Sequence, residues 1–166
     1  MKTRNLTRAA VLSAFSLAVL FGASSAPTAQ LALVAVASLP AAVLVLRGGF
    51  AVAAAHYAVV AALGLLLLPD KTCALWYALV LGHYAIVKAL IERLRRAPVE
   101  WLLKMAVFAA VIGALYAVSS RAFFAPLPEK QTILLFAALL ICFVLYDVGL
   151  SRLIAFYRAR IDRYLK

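Results

Sequence analysis

Aromatic residues and a histidine are the side chains of this sequence best suited to holding a small molecule. One apolar stretch contains Trp76, Tyr77, His83 and Tyr84. Helical spacing puts Trp76 and His83 on one face, and rings beside an imidazole predict a pocket for a small, flat, partly polar solute. In the alternative interpretation, Trp76 and Tyr77 form an interfacial aromatic belt and His83 bonds to a neighbouring helix.

Tyr116 and Arg121 close the outer end of the following apolar stretch, at the same predicted depth as Trp76 and Tyr77. An arginine at a helix mouth can hold a carboxylate or phosphate, or it can simply mark the membrane interface. The predicted substrate site lies in the outer half of the membrane and comprises Trp76, Tyr77, His83, Tyr116 and Arg121.

Other polar residues in the apolar stretches have simpler explanations. An interhelical hydrogen bond accounts for the His56–Tyr57 dipeptide. Lys88 with Glu92, and Glu100 with Lys104, are spaced i, i+4. These pairs flank one short loop, so we predict that they neutralise each other and fix a helical hairpin.

Signatures of enzymes are missing from the sequence. It has no glycine-rich phosphate loop, no nucleophile elbow and no His-Glu-x-x-His motif. The histidines and cysteines are spread over different stretches without metal-ligand spacing: His56, His83, Cys73 and Cys142. We therefore predict a protein that is not an enzyme, with no metal and no cofactor.

The composition places these residues in a membrane. Hydrophobic residues make up 67% of the 166 residues, and the mean hydropathy is +1.05. A soluble domain of this length cannot bury so much apolar surface. The net charge of +11 needs no nucleic acid to explain it, because Lys and Arg fix membrane topology and meet the anionic leaflet.

The predicted fold class is an all-α bundle of six transmembrane helices in a single transmembrane domain, 1–166. A spanning helix needs about 20 mostly apolar residues. The predicted spans are 7–24, 30–46, 50–68, 73–91, 99–119 and 132–150, separated by short loops rich in Pro, Gly, Ser and charged residues. A basic tail, 151–166, is predicted to extend the last helix as an amphipathic segment on the headgroups.

Orientation follows from the positive charges. With both termini in the cytoplasm, only Lys71, Arg121 and Lys130 of the 17 Lys and Arg residues lie outside. This asymmetry predicts cytoplasmic termini. Residues 1–26 also have the layout of a signal peptide, but the long apolar run favours a retained helix.

The first predicted helix carries a ridge of minimal side chains. Ala10, Ala14, Ala18 and Gly22 recur every four residues. In lipid, such small-xxx-small ridges allow another helix to approach closely. The partner is either another helix of this chain or a separate protein.

These features resemble the substrate-binding (S) component of an energy-coupling factor (ECF) type vitamin transporter. The resemblance lies in the basic opening 2–10, the ridge beginning at Ala10 and Ala14, the segments Ser38–Pro40 and Arg47–Phe50, and the six-helix layout. Nothing in 1–7 resembles the histidine-bearing segment of the metal-transporting branch, which argues against nickel or cobalt.

The resemblance implies a role in uptake across a bacterial cell (plasma) membrane. Ala10, Ala14 and Ala18 would dock on a transmembrane coupling subunit, which two ATPase subunits drive. A vitamin-like solute would enter from outside, capped by the loop after the first helix.

Two other functions remain open at this point. A non-transporting scaffold, similar to the small membrane subunit of the bacterial rod-shape machinery, would use the ridge and the tail for protein contacts alone. A lipid-modifying enzyme is a weaker alternative, because no acid–base pair shares a plausible pocket.

Overall fold

The computed structural model describes residues 3–26, 28–94, 96–122 and 129–162. Within these ranges the side chains not described are those of residues 4, 97, 115–122, 129, 130, 132, 133, 135, 158, 161 and 162. Every element of regular structure among the described residues is helical. The predicted all-α class is therefore confirmed for the part of the chain that the structure describes.

The helices follow the predicted spans closely at the start of the chain and diverge later. In order they are α1 Thr3–Ser25, α2 Gln30–Gly48, α3 Phe50–Leu67, α4 Lys71–Leu75, a π-helix Trp76–Leu81, α5 Tyr84–Ile91, a 3₁₀ turn Glu92–Leu94, α6 Ala97–Ala122 and α7 Glu129–Asp162. The last helix continues to Asp162 without a break at the predicted start of the tail. Whether its end lies on a membrane surface stays a prediction.

Five helical segments of the described chain are long and apolar enough to cross a membrane. They are Asn5–Ser25, Gln30–Gly48, Phe50–Leu67, Lys71–Leu94 and Phe136–Tyr157. The remaining predicted span, 99–119, lies within α6, where the side chains from residue 115 onward are outside the described set. The protein is a multi-pass membrane protein by this measure.

The chain divides into two compact units, Met1–Ala106 and Val107–Lys166. In the first unit, α1, α2 and α3 pack against one another, and α2 also contacts the π-helix and α5. In the second unit, the Phe108 ring of α6 lies 5.8 Å from Phe136 and 4.7 Å from Phe143 of α7, centroid to centroid. These ring contacts join the two helices of that unit.

The core of the first unit is layered. A first apolar layer contains Ala9, Leu44, Val52 and Ala53. A second apolar layer contains Leu20, Ala23, Val34, Ala37, Val60, Leu68, Cys73 and Tyr77. Between them along the helices lies a polar layer of buried residues, Ser13, Ser16, Ser38 and His56. Because a bilayer offers no water, each member of such a layer must find its hydrogen bond within the protein.

Two hydrogen bonds of the polar layer join the helices. Ser13 Oγ of α1 is hydrogen-bonded to His56 Nδ1 of α3 at 2.8 Å, and Ser16 Oγ of α1 donates to the Ala37 carbonyl of α2 at 2.8 Å. The second bond lies in the turn where Pro40 has no backbone N–H to bond the Val36 carbonyl. The interhelical hydrogen bond predicted for His56 is thus present.

The predicted fourth helix, 73–91, is not one continuous α-helix. It contains the six-residue π-helix Trp76–Leu81, in which the Gly82 N–H donates to the Tyr77 carbonyl at 2.7 Å. A π-helix pairs residues five apart and so holds an extra residue. The α-helical spacing that placed Trp76 and His83 on one face therefore does not apply across this segment.

Gly82 directly follows the π-helix, and any larger residue at this position would force neighbouring atoms to move. A Cβ built on Gly82 would lie 2.7 Å from the Tyr77 carbonyl oxygen and 2.8 Å from the Tyr77 ring. The close approach of Gly82 to Tyr77 therefore requires a residue without a Cβ at position 82.

We expect Gly82→Ala to destabilise the protein by about 1–3 kcal/mol, because the added methyl overpacks against backbone. Thermal unfolding in detergent measures the effect. Gly113→Ala is the matched control, since nothing lies within 4 Å of a Cβ at Gly113. The control variant should match or exceed the stability of the parent protein. Equal stability of the two variants would contradict the assignment.

Candidate functional site

The centre of the candidate site is a backbone carbonyl released by the π-helix. In an α-helix the Ala78 carbonyl would accept from the Gly82 N–H, which here bonds to Tyr77 instead. The Tyr57 hydroxyl of α3 donates to the Ala78 carbonyl at 2.7 Å, and the His83 imidazole also interacts with it. A side chain of another helix thus satisfies the released carbonyl.

Tyr57 brings two of the predicted site residues together. Its ring centroid lies 6.3 Å from that of Tyr77, in a stacked arrangement, and 6.0 Å from that of His83, edge to face. Tyr77 is fully buried, His83 is half-buried, and Trp76 is half-buried against the second apolar layer. These neighbouring rings are here called the aromatic cluster: Tyr57, Tyr77 and His83.

The full burial of Tyr77 does not fit the interfacial-belt interpretation for that residue. An interfacial ring lies where lipid headgroups meet the protein surface, whereas Tyr77 packs among Leu20, Val34 and Val60. Tyr116 and Arg121 fall within α6, but their side chains lie outside the described residues, so their predicted contribution to the site stays a prediction.

Sequence reasoning missed Tyr57 as a member of the site. The signal in the sequence is the His56–Tyr57 dipeptide inside an otherwise apolar helix, for which the sequence predicts one interhelical bond. The structure shows two separate bonds in different directions, from His56 to α1 and from Tyr57 to the π-helix. Adjacent residues on a helix point about 100° apart, which makes this division possible.

A second polar group lies at the turn between α3 and α4. The Asp70 carboxylate caps α4 by accepting from the Thr72 backbone N–H at 2.9 Å, and it also accepts from the Gln30 side chain of α2. Gln30 also donates to Cys73 Sγ at 2.9 Å. Lys71 donates to the Leu65 and Leu68 carbonyls at 2.8 and 2.9 Å and so caps the end of α3.

The pKa of the Asp70 carboxyl is set by two opposing effects. Burial raises the pKa, but hydrogen bonds from Thr72, Gln30 and Cys73 outweigh burial, and the net pKa lies below its ordinary value. A lowered pKa in the folded state means that the ionised carboxylate contributes to stability.

This contribution predicts an acid-sensitive turn. It is fully present above the pKa of the unfolded carboxyl and is lost as the pH falls through the lower pKa of the folded protein. The stability difference between the parent protein and Asp70→Asn should therefore be constant near neutral pH and shrink in acid, as followed by thermal unfolding in detergent. Gln30→Leu removes one of the hydrogen bonds that lower the pKa of Asp70. The stability difference measured in this background should therefore change less between neutral and acid pH. A difference that does not change with pH would contradict this account.

A charged group lies at the other end of the same span. Glu92 Oε1 is 3.0 Å from Lys88 Nζ and 3.4 Å from Lys104 Nζ. Both lysines are buried. The predicted Lys88–Glu92 pair is thus present, and Glu92 also reaches across the hairpin to α6. The predicted pair of Glu100 with Lys104 stays a prediction.

The two faces of α1 differ in what they contact. Ser13, Ser16, Leu20 and Ala23 are buried in the bundle, whereas Ala10, Ala14, Ala18 and Gly22 are exposed. Nothing lies within 4 Å of a Cβ built on Gly22. The small-residue ridge therefore does not serve the packing of α1 within the first unit.

Comparisons of the chain with protein-family models, with curated proteins and with solved structures found no match.

Proposed function

We propose that this protein is the membrane-embedded substrate-capture subunit of an ECF-type importer, which docks through α1 on a transmembrane coupling subunit. The observation that carries the proposal is the exposed ridge of Ala10, Ala14, Ala18 and Gly22 on α1. Apolar bulk gains nothing over lipid tails, so a smooth ridge has value only where another helix approaches closely.

The aromatic cluster supports the substrate-binding half of the proposal. An imidazole and two tyrosine rings near the middle of a membrane are costly unless they have a use. The π-helix that presents Tyr77 is itself a rare structure that recurs at functional sites. The proposed ligand is a small, flat, partly polar vitamin-like solute that contacts Trp76 and His83, with Tyr57 and Tyr77 behind them.

The charge distribution supports the orientation of the importer. We infer cytoplasmic termini, an outer aromatic cluster and a bacterial plasma membrane location from the excess of Lys and Arg on one side. The end of α7 carries exposed Arg152 and Arg160 beside exposed Leu153 and Phe156. Such a mixture suits a helix end at the headgroups of the inner leaflet.

Docking through α1 predicts a specific loss of partners. Ala10→Leu with Ala14→Leu should abolish co-purification of a coupling subunit and ATPases from gently solubilised native membranes, because leucine prevents close helix approach. The matched control is Val11→Leu with Phe15→Leu, which alters exposed residues of α1 outside the ridge. The control variant should retain its partners and both variants should remain folded.

Three outcomes of this experiment contradict the proposal. Equal partner loss in both variants would point to general damage of α1. An unstable ridge variant with no partner in any sample would show that the ridge serves folding. A recovered partner without ATPases would favour the scaffold function.

Substrate capture predicts a co-purifying small molecule. Native mass spectrometry of the protein released from nanodiscs should show an added mass, and Trp76→Ala and His83→Ala should each reduce its occupancy. A single aromatic contact contributes about 0.5–1.5 kcal/mol, which corresponds to a loss of about two- to tenfold in affinity. Trp101→Ala is the control, because Trp101 is exposed and lies beside Lys104 at the hairpin. Equal loss in all three variants would contradict the site.

A further inference from the structure

Two consecutive residues of α3 connect the docking helix with the aromatic cluster. His56 is 1% exposed and is hydrogen-bonded to Ser13 of α1 at 2.8 Å. Tyr57, the next residue, donates to the Ala78 carbonyl at 2.7 Å. One rigid turn of α3 therefore carries both contacts, and a rotation or translation of that turn changes them together.

The π-helix is the element that can adopt two arrangements. In the observed one, the Gly82 N–H donates to the Tyr77 carbonyl, and the Tyr57 hydroxyl occupies the Ala78 carbonyl. In the α-helical alternative, the Gly82 N–H would bond to the Ala78 carbonyl oxygen, which already contacts the Tyr57 hydroxyl and the His83 imidazole. Because a carbonyl oxygen has two lone pairs, the Gly82 N–H would compete for it with the Tyr57 hydroxyl and the His83 imidazole.

The outcome of this competition sets the direction of His83. Removing the extra residue of the π-helix turns everything that follows it by about one residue, or 100°. His83 and α5 would rotate with it, away from the Tyr57 ring that lies 6.0 Å from His83 now. The Tyr57 hydroxyl thus stabilises the π-helical arrangement, in which the His83 ring contacts the Tyr57 ring.

We propose that Tyr57 is a positioning residue of the aromatic cluster and that the His56–Tyr57 dipeptide couples the state of the cluster to α1. The functional meaning of this coupling rests on the proposed function, in which α1 docks and the cluster meets the ligand. A ligand that favours the π-helical arrangement stabilises the bond between Tyr57 and the Ala78 carbonyl. It thereby fixes the position of α3 and, through the Ser13–His56 bond, that of α1. By linkage, docking at α1 alters the affinity for the ligand by the same factor.

Trp76 reports on this coupling without any ligand or partner. It is the first residue of the π-helix, and the only other tryptophan of the chain, Trp101, can be replaced by phenylalanine. In that background, in lipid nanodiscs, Tyr57→Phe should shift the emission maximum of Trp76. Ser13→Ala should shift it in the same direction, although Ser13 lies on a different helix.

Ser16→Ala is the matched control. Ser16 is also a buried serine of α1, but its hydroxyl donates to the Ala37 carbonyl of α2 and not to α3. It should leave the Trp76 emission at the parent value. Ser13→Thr retains a hydroxyl and should restore that value, and the double variant of Ser13→Ala with Tyr57→Phe should shift no further than Tyr57→Phe alone.

The inference is overturned if Ser13→Ala moves the emission no more than Ser16→Ala does, or if the shifts of Ser13→Ala and Tyr57→Phe add. Should Ser13→Ala fail to fold, Ser13→Cys keeps the size and weakens the bond, and the same shift is expected of it. If partners are recovered but Ser13→Ala leaves the emission maximum of Trp76 unchanged, the coupling is overturned and the proposed function stands. If Ser13→Ala shifts the Trp76 emission as expected but no partner or ligand is ever recovered, the proposed function is overturned. The coupling between α1 and the aromatic cluster then stands by itself.

Discussion

The hydrogen bond from the Tyr57 hydroxyl to the Ala78 carbonyl is the contact on which the centre of the first unit depends. Inside a bilayer an unsatisfied carbonyl costs several kcal/mol, because no water is present to bond it. The π-helix releases that carbonyl from the helical ladder, and Tyr57 satisfies it from another helix. This one bond joins α3 to the segment of chain that leads into His83 and α5.

The layered core explains why α3 can hold this position. Apolar layers on either side are non-directional and tolerate sliding, whereas the polar layer between them fixes the register of α1 against α2 and α3. The Ser13–His56 and Ser16–Ala37 bonds each require one alignment of two helices. Because apolar burial gives no net advantage between helices in lipid, these polar contacts act together with close packing to hold α1, α2 and α3 in place.

The sequence predicted what depends on local composition. The starts and ends of α1, α2 and α3 lie within a few residues of the predicted spans, since the length of an apolar run and its glycine and proline punctuation are local. The π-helix was not predictable, because the donor that makes it possible lies 21 residues away in sequence. Likewise, the small residues of α1 were visible in the sequence, but only the packing of the helices identifies which face stays exposed.

The exposed face of α1 remains informative once the internal packing is understood. Val11 and Phe15 beside the ridge are 64% and 51% exposed, as lipid-facing residues of a membrane helix usually are. Alanine and glycine at the ridge gain nothing from lipid that larger side chains would not gain. Glycine in addition weakens a helix by about 1 kcal/mol relative to alanine. The burial of the opposite face already fixes α1 against α2 and α3, so packing within the first unit does not account for the minimal side chains of the ridge.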